Sequence, residues 1–388
     1  MSAAPIGLYV HLPWCVRKCP YCDFNSYEAR GALAEDLYVG ALMRDLDTEL
    51  SRMTRPAIGS VFIGGGTPSL FSADAIARLL DGLRARTDFV DDAEITLEAN
   101  PGTAETARFR GYIAAGVNRL SLGIQSFDPA QLTRLGRIHD AEEAHAAIGM
   151  AREAGCANLN LDLMFGLPHA AAGDSLRDLE LAIAHDPEHV SWYQLTLEEG
   201  TAFARHPPAL PEHDQICDDY DAGLALLTGA GYQQYEISAY ARGERAARHN
   251  INYWLFGDYI GIGAGAHGKR TDEAGTVWRT ARIRHPERYL KAAREGLAIE
   301  TEERVTGMTL ATEFMLNALR LANGFESALF SARTGLPMSV VDAPLSAALA
   351  RGWLEQQGER LRPTTLGFRF LNDLQLLFTA LDEHPAAA

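Results

Sequence analysis

The chain has 388 residues, of which 47% are hydrophobic and 22% are charged, and its formal net charge at pH 7 is −16. This balance predicts a globular protein with one large and one small domain, and the negative charge argues against nonspecific binding of nucleic acid. No apolar run approaches the roughly 18 residues that span a bilayer, and the first residues lack the features of a signal peptide, so we expect a cytoplasmic protein.

Strand and helix patterns alternate from residue 6 to about residue 240 and predict a parallel β/α domain. The predicted strands are residues 8–11, 60–63, 94–98, 119–124, 158–164 and 190–196, and the predicted helices include residues 33–53, 73–87, 141–154 and 214–228. Glycine follows the helix ends at Ala115, Ala154 and Ala230, where a left-handed residue stops a helix. About six β/α units predict a partial (β/α)6 barrel rather than a closed eightfold one.

Each predicted strand ends in a distinctive polar or glycine-rich group. The groups are His11 with the cysteines that follow it, Gly64-Gly65-Gly66-Thr67-Pro68-Ser69, Glu98-Ala99-Asn100, Gln125-Ser126, Asp162 and Gln194. Any one of them could be a simple loop cap or turn. Because active sites of such barrels lie at the carboxyl ends of the strands, we expect these groups to share one cavity.

Three cysteines follow the first strand with the spacing Cys-x3-Cys-x2-Cys. They are Cys15, Cys19 and Cys22. Three thiolates are one short of the four that saturate a [4Fe-4S] cluster, so one iron would stay open to a small molecule. Arg17 and Lys18 lie between the first two cysteines and are expected to favour the thiolate form.

Zinc and a disulfide are the alternatives for these cysteines. Structural zinc prefers four ligands, and only His11 is at hand as a fourth. A disulfide fits poorly with five cysteines in a chain without a secretory signal. Cys156 and Cys217 are isolated, and we predict that they are packing residues.

The segment Tyr9-Val-His-Leu-Pro-Trp-Cys15-x3-Cys19-Pro-Tyr-Cys22-Asp-Phe24 resembles the cluster loop of radical S-adenosylmethionine (SAM) proteins. More narrowly, it resembles the branch that holds the oxygen-independent coproporphyrinogen III oxidases and the HemW family of heme chaperones, and the resemblance covers nearly the whole chain. It implies a [4Fe-4S] cluster held by the three cysteines, with the amino and carboxylate groups of SAM on the open iron. In that superfamily, reductive cleavage of SAM gives a 5′-deoxyadenosyl radical.

The same resemblance implies roles for further residues in binding SAM. Gly65, Gly66 and Thr67 would meet its amino group and methionine part, and a rival phosphate-loop interpretation lacks the Lys-Ser/Thr of a Walker motif. Glu98 resembles the acid that holds the ribose hydroxyls. The remaining matches are Tyr9 and Tyr21, which would flank the adenine or the cluster, and Gln125, Arg137 and Asp162, which would make further SAM contacts.

A second glycine run, from Gly261 to Gly268, superficially suits a dinucleotide fingerprint. The expected βαβ context is not clear. We predict instead that it is closely packed backbone near the barrel mouth.

Phe24 is the residue that helps to distinguish the oxidases from the heme chaperones within the branch that this chain resembles. The oxidases resemble Cys-x3-Cys-x2-Cys-x-Cys, and Phe24 stands where their last cysteine would be. Only 14 residues precede Cys15, whereas the oxidases carry a substantial N-terminal extension that helps to enclose the porphyrin. Both differences put decarboxylase activity in doubt.

The segment His249-Asn250-Ile-Asn-Tyr253-Trp254 resembles the His-Asn-x2-Tyr-Trp signature of the heme chaperones. Imidazole is a standard axial ligand of heme iron, and Tyr253 and Trp254 could border the macrocycle. Taken alone, a histidine such as His249 is more often a hydrogen-bonded structural residue, and an aromatic pair is more often part of a core. His267 and His11 stay open as other candidate ligands.

Three parts of the chain are predicted: a radical SAM barrel at residues 1–240, a barrel-completing segment at 241–300, and a C-terminal domain at 301–388. In the second part, residues 276–299 are expected to form a linker and a helix. In the third, we expect helices at 309–321 and 345–352, a strand within 353–361, and a turn at 361–368 before a closing helix. This resembles the small helical, winged-helix-like domain of the same family, without a basic stripe for DNA.

The first hypothesis is a heme chaperone that binds heme and passes it to acceptor hemoproteins, including membrane-associated respiratory enzymes. The cluster would then act as a maturity signal or a dimerisation switch, and apolar positions near the barrel edge would allow a homodimer. The second hypothesis is a radical SAM oxidase that decarboxylates coproporphyrinogen III. A structural zinc protein is the third.

Overall fold

The structure is a computed structural model that describes residues 4–103 and 106–379. The strands are β1 (Ile6–Leu12), β2 (Trp14–Cys15), β3 (Tyr27–Glu28), β4 (Ala57–Gly65), β5 (Asp88–Ala99), β6 (Arg119–Gln125), β7 (Leu159–Phe165), β8 (His189–Gln194), β9 (Gln233–Glu236), β10 (Ala239–Ala241), β11 (Tyr259–Ile262), β12 (His267–Thr271), β13 (Val277–Arg282), β14 (Ile299–Val305), β15 (Phe325–Glu326), β16 (Leu354–Gln357) and β17 (Arg360–Pro363).

The α-helices run between and after these strands. They are α1 (Glu35–Leu50), α2 (Ala73–Arg86), α3 (Thr106–Ala115), α4 (Pro129–Arg134), α5 (Ala141–Glu153), α6 (Asp174–Ala184), α7 (Ala202–Arg205), α8 (His213–Gly229), α9 (Arg248–Trp254), α10 (Pro286–Arg294), α11 (Gly307–Ala318), α12 (Ser327–Thr334), α13 (Asp342–Ala350), α14 (Thr365–Arg369) and α15 (Leu371–Thr379). None of the helices in this part of the chain is long and apolar enough to cross a membrane.

Most of the strands form one 12-stranded sheet with the order β14-β13-β12-β11-β1-β4-β5-β6-β7-β8-β10-β9. Seven neighbouring strands, in the order β11-β1-β4-β5-β6-β7-β8, pair in parallel. The strand pairs outside them, at both edges of the sheet, are antiparallel. The six predicted strands are β1 and β4 to β8, so the predicted β/α barrel is confirmed. Its parallel strands are buried on both faces, and such strands read as short apolar runs.

A further parallel strand, β11, ends within the second glycine run, at Ile262. Cβ atoms added at Gly261 and Gly263 would lie 1.8 Å and 2.4 Å from the backbone oxygens of His267 and His11. Substitution there would force the chains apart, which confirms the prediction of closely packed backbone. The strand has four residues, of which two belong to this run, and this is too short a stretch to predict from an apolar pattern.

The prediction of a linker and a helix at residues 276–299 is right for helix α10 but wrong for the part before it. Strand β13 occupies that part and pairs on both sides. Its Arg282 faces inward and is 1% exposed. Because a buried arginine interrupts the apolar pattern of a strand, the sequence pattern concealed this one.

The buried Arg282 ties helix α1 to strand β13. Its Nε lies 3.1 Å from Asp45 Oδ1, and its Nη2 lies 2.6 Å from Glu49 Oε2. Asp45 also accepts hydrogen bonds from the Tyr289 hydroxyl and the Gly263 amide. Buried charges are tolerated only when they are paired and hydrogen-bonded in this way.

The C-terminal domain packs helices α11 to α15 around the three-stranded sheet β15-β17-β16. Its core is apolar, with Phe314 in edge-to-face contact with Phe325 and Phe330. The predicted turn at residues 361–368 is instead the end of β17 followed by helix α14. Helices and a small antiparallel sheet agree with the predicted winged-helix-like domain.

Candidate functional site

One cavity of about 260 Å³ lies at the carboxyl ends of the parallel strands. It is lined by Cys15, Arg17, Lys18, Cys19, Tyr21, Cys22, Phe24, Ser26, Gly65, Gly66, Thr67, Pro68, Glu98, Ala99, Asn100, Ser121, Gly123, Gln125, Arg137, Asp162 and Tyr193. The cysteine loop, the glycine loop and the polar ends of the next strands therefore meet, as expected for a β/α barrel.

The three cysteines are free, half-buried thiols on a loop that β2 and β3 hold closed. Burial raises the pKa of Cys15 and of Cys22. The expected activation by neighbouring cations is therefore outweighed: Lys18 lowers the pKa of Cys22 only in part, and its ammonium donates to the Phe24 carbonyl oxygen. Burial therefore favours the thiol form of Cys15 and Cys22 until a metal binds, because metal binding deprotonates thiols.

The distribution of the thiols suits a cluster of several irons, because they surround a cavity. Within residues 4–103 and 106–379, no three His, Cys, Asp or Glu side chains are placed to hold a single metal ion. His11, the candidate fourth zinc ligand, is buried with Nδ1 2.8 Å from the Tyr9 hydroxyl and Nε2 2.8 Å from the Asn25 carbonyl oxygen. Both ring nitrogens of His11 are therefore engaged.

The glycine loop after β4 can be built only from glycine. Gly65 has a φ of 113°, and a Cβ atom there would lie 2.6 Å from the His11 ring. The amides of Gly65, Gly66 and Thr67 already donate to Glu98 Oε2, Leu12 O and Trp14 O. These three amides are therefore not free to donate to a ligand.

Gly65→Ala is expected to destabilise this loop and to lower both iron retention and SAM binding. The left-handed backbone alone costs an alanine about 1–2 kcal/mol, and the His11 ring must also move. Gly149→Ala is the matched control: Gly149 is an exposed helix residue with open space around it, where alanine stabilises by up to about 1 kcal/mol. Thermal denaturation, iron analysis and equilibrium SAM binding compare the two variants, and equal behaviour would refute the role of Gly65.

Two acids form one wall of the cavity. Glu98 accepts from the Gly65 amide, and burial together with nearby Asp162 raises its pKa to about 8. Asp162 accepts from Ser121 Oγ at 3.0 Å and Asn160 Nδ2 at 2.8 Å, and burial raises its pKa as well. Carboxyl groups so placed can exchange hydrogen bonds with hydroxyl groups of a ligand.

Arg137 faces these acids across the cavity. Its Nη2 donates to the Gly123 carbonyl oxygen at 2.6 Å, its Nη1 lies 3.8 Å from Cys19 Sγ, and its buried Nε has no hydrogen-bond partner. Arg17 donates to the Gly136 and Arg137 carbonyl oxygens and so braces the turn that carries this guanidinium. A guanidinium with an unused donor beside the thiols fits a ligand carboxylate.

Gln125 and Tyr193 also line the cavity. Gln125 has a φ of 70°, a strained conformation for a residue with a side chain, and its Oε1 accepts from the Tyr193 hydroxyl at 2.6 Å. Tyr193 was not predicted. The residue predicted on this strand was Gln194, which is exposed. Side chains alternate along a strand, and in β8 those of His189, Ser191 and Tyr193 point into the barrel.

The two predicted tyrosines lie at different depths. Tyr21 lines the cavity and its ring contacts Phe203. Tyr9 lies beneath the cavity, where its ring stacks on Phe62 and its hydroxyl meets His11. Tyr9 therefore supports the cavity through His11.

The predicted heme motif lies away from this cavity, on helix α9, which covers the amino end of the strands. His249 is 1% exposed; its Nδ1 lies 3.0 Å from Ser60 Oγ and its Nε2 lies 2.9 Å from the Tyr253 hydroxyl. Asn250 is half-buried beside it. The assignment of His249 to heme stays a prediction, and it requires one of these hydrogen bonds to open.

The aromatic pair of the motif borders a separate cavity of about 200 Å³, which we call the motif cavity. It is lined by Tyr253, Trp254, Phe256, Gly257, Tyr259, Lys269, Arg279 and Asn317. Trp254 lies under the guanidinium of Arg320 at 4.3 Å, and its buried Nε1 has no partner.

Three thiols beside a buried arginine, at the mouth of a partial barrel, are typical of a radical SAM protein, and the radical SAM superfamily description matches residues 9–181. The HemN C-terminal domain description matches residues 305–370. The solved coproporphyrinogen III oxidase (HemN) from Escherichia coli aligns over 96% of this chain and 90% of its own with a TM-score of 0.81. At 22% identity, that similarity shows the fold.

Curated relatives define the family more narrowly. The heme chaperone HemW of Escherichia coli (strain K12) is 47% identical over 376 residues, which are 97% of this chain and 98% of the relative. The heme chaperone HemW of Haemophilus influenzae is 46% identical over 378 residues, with 96% and 98% covered. The chain therefore belongs to the HemW family of radical SAM proteins, a family that implies a [4Fe-4S] cluster and SAM.

Proposed function

We propose that the protein is a cytoplasmic heme chaperone, which binds heme as cargo and passes it to acceptor hemoproteins of the respiratory kind. The observation that carries this proposal is the full-length identity of 47% to a relative named as a heme chaperone. The replacement of a fourth cysteine by Phe24, which is 61% exposed, supports chaperone over oxidase. A net charge of −16 supports a protein acceptor over nucleic acid.

In this proposal, Cys15, Cys19 and Cys22 hold the cluster. When bound, a three-cysteine cluster supplies one open iron that can chelate the amino and carboxylate groups of SAM. The carbonyl oxygens of the glycine loop would accept from the amino group, and Arg137 would pair with the carboxylate through donors that include its unpartnered Nε. The half-buried soft thiols therefore fit an iron–sulfur cluster, and the unused donor of Arg137 fits the carboxylate of SAM.

The remaining residues of the wall would hold the nucleoside. Glu98 is placed to accept from the ribose hydroxyls, with Gln125 and Asp162 farther along the wall and Tyr21 over the adenine. We propose that cluster and SAM report maturity or control dimerisation, and that heme transfer is the activity.

Hemin titration of anaerobically reconstituted protein tests the proposal. We expect the Soret band to saturate near one heme per chain, and we expect no protoporphyrinogen from coproporphyrinogen III with SAM and a reductant. Unsaturable hemin binding together with porphyrinogen decarboxylation would contradict the chaperone and establish the oxidase.

A further inference from the structure

A second pocket adjoins the cluster loop on its outer side. This outer pocket, of about 390 Å³, is lined by Lys18, Phe24, Asn25, Ser26, Tyr27, Arg284, His285, Arg288 and Glu300. Lys18, Phe24 and Ser26 also line the cluster cavity. A ligand in the outer pocket would therefore lie against the loop that carries the cysteines, on the opposite side from SAM.

The outer pocket is basic, although the chain as a whole is acidic. Lys18, Arg284 and Arg288 are exposed, and over residues 4–103 and 106–379 none of them pairs with a carboxylate. Among the described residues of the lining, Glu300 is the one acid. Unpaired guanidinium groups are strong, oriented binders of carboxylates, so this pocket suits a ligand with carboxylate arms.

The same pocket carries an accessible histidine and two aromatic rings. His285 caps helix α10 with its backbone, and its exposed side chain makes no capping hydrogen bond. Its ring touches the edge of Tyr27 at a centroid distance of 5.6 Å. Phe24 is 61% exposed. An imidazole beside aromatic surface and cations matches the iron, macrocycle and propionates of heme.

The motif cavity is the alternative site for heme, but its basic side chains already form ion pairs. Lys269 pairs with Asp258 at 2.7 Å, and Arg279 pairs with Glu313 at 2.6 Å. The imidazole of His249 is closed off by Tyr253. Heme in the motif cavity would therefore have to break ion pairs and a buried hydrogen bond, whereas the cations of the outer pocket form no ion pair with the described residues.

We propose that the outer pocket is the docking site of heme, with His285 as the axial ligand. Arg284, Arg288 and Lys18 bind the propionates, and Phe24 and Tyr27 contact the macrocycle. This inference rests on the proposed heme-chaperone function and names the place of its cargo. A single axial ligand on an exposed helix cap leaves the other face of the iron open to a ligand from the acceptor, which suits release.

The cluster loop also holds this pocket together. Asn25 Nδ2 donates to the Arg284 carbonyl oxygen at 2.8 Å and to the Ala264 carbonyl oxygen at 2.9 Å. The loop and the start of helix α10 are therefore joined by one side chain, so an ordered cluster loop supports the cation wall of the outer pocket.

His285→Ala tests the axial ligand in the anaerobically reconstituted full chain. We expect hemin affinity to fall at least about tenfold, with a shifted Soret band and a changed ferric-heme EPR signal, since the ligand of the iron is lost. His206→Ala, at another exposed histidine, is the matched control and should bind as wild type. Unchanged iron–sulfur content and circular dichroism would show that both variants fold.

Arg284→Gln/Arg288→Gln tests the propionate contacts separately. Hemin affinity should fall while the Soret position stays that of wild type. Hemin dimethyl ester, which lacks the propionate charges, should bind wild type more weakly and should lose nothing further in the double variant.

Wild-type spectra and affinity in His285→Ala, with loss of binding in His249→Ala, would overturn the outer pocket and place heme at the motif cavity. Failure of the wild type itself to bind hemin saturably would instead overturn the proposed function, so the two failures are distinguishable.

Discussion

Cys19→Ser is expected to abolish the iron–sulfur cluster. Wild-type protein reconstituted anaerobically should hold about four irons per chain and absorb near roughly 400 nm, and the variant should lose both. Among the residues that the structure describes, three cysteines line the cavity, so one hydroxyl in place of a thiolate leaves two soft ligands, too few to hold four irons. Iron analysis and absorbance after desalting measure the effect.

Cys217→Ser is the control for that experiment. Cys217 is half-exposed on helix α8, with its Sγ 3.6 Å from His213 Nε2 and away from the cavity. Its replacement should leave the iron content unchanged, which separates loss of a ligand from loss of a general thiol. Wild-type iron content in Cys19→Ser would show that the thiol assignment is wrong.

Arg282→Met is expected to cause the largest loss of stability. It leaves Asp45 and Glu49 buried without their cation, and breaking a buried pair in this way costs about 3–5 kcal/mol of unfolding free energy. The pair joins helix α1 to strand β13 across 237 positions of the chain, so its loss affects two distant segments. Chemical denaturation followed by circular dichroism measures the shift of the midpoint.

Arg304→Met provides the comparison, because Arg304 is exposed on the neighbouring strand β14. Its replacement should change the unfolding free energy by no more than about 0.5 kcal/mol. Similar midpoints for Arg282→Met and Arg304→Met would mean that the buried ion pair contributes nothing that methionine packing cannot replace.

The β/α barrel was predictable because its parallel strands are buried on both faces and end in polar residues. The prediction of glycine stops also held: Gly116, Gly155 and Gly231 have φ values of 109°, 94° and 87°. Strands β11 and β13 escaped prediction because one is short and glycine-rich and the other hides a buried arginine. Both depend on contacts distant in sequence, which local patterns do not contain.

The sequence predicted which loops and strand ends line the cavity, but not all of the side-chain contacts within it. Six strand ends were expected to meet, and the cysteine loop, the glycine loop, Glu98, Gln125 and Asp162 do line one cavity. Tyr193 could have been predicted only by working out which alternate residues of β8 point into the barrel. Two further contacts could not be read from the sequence, because they depend on the tertiary structure. The Lys18 ammonium donates to the Phe24 carbonyl oxygen. Both ring nitrogens of His249 are engaged, by Ser60 Oγ and by the Tyr253 hydroxyl.

Heme transfer is the measurement that tests the chaperone proposal most directly. Reconstituted protein loaded with one heme is mixed with the apo form of a b-type respiratory hemoprotein, and the spectra of donor and acceptor are followed together. We predict that heme leaves the chaperone and that the acceptor gains its holo spectrum faster than from serum albumin loaded with the same heme. Retention of heme, or transfer no faster than from albumin, would contradict the account.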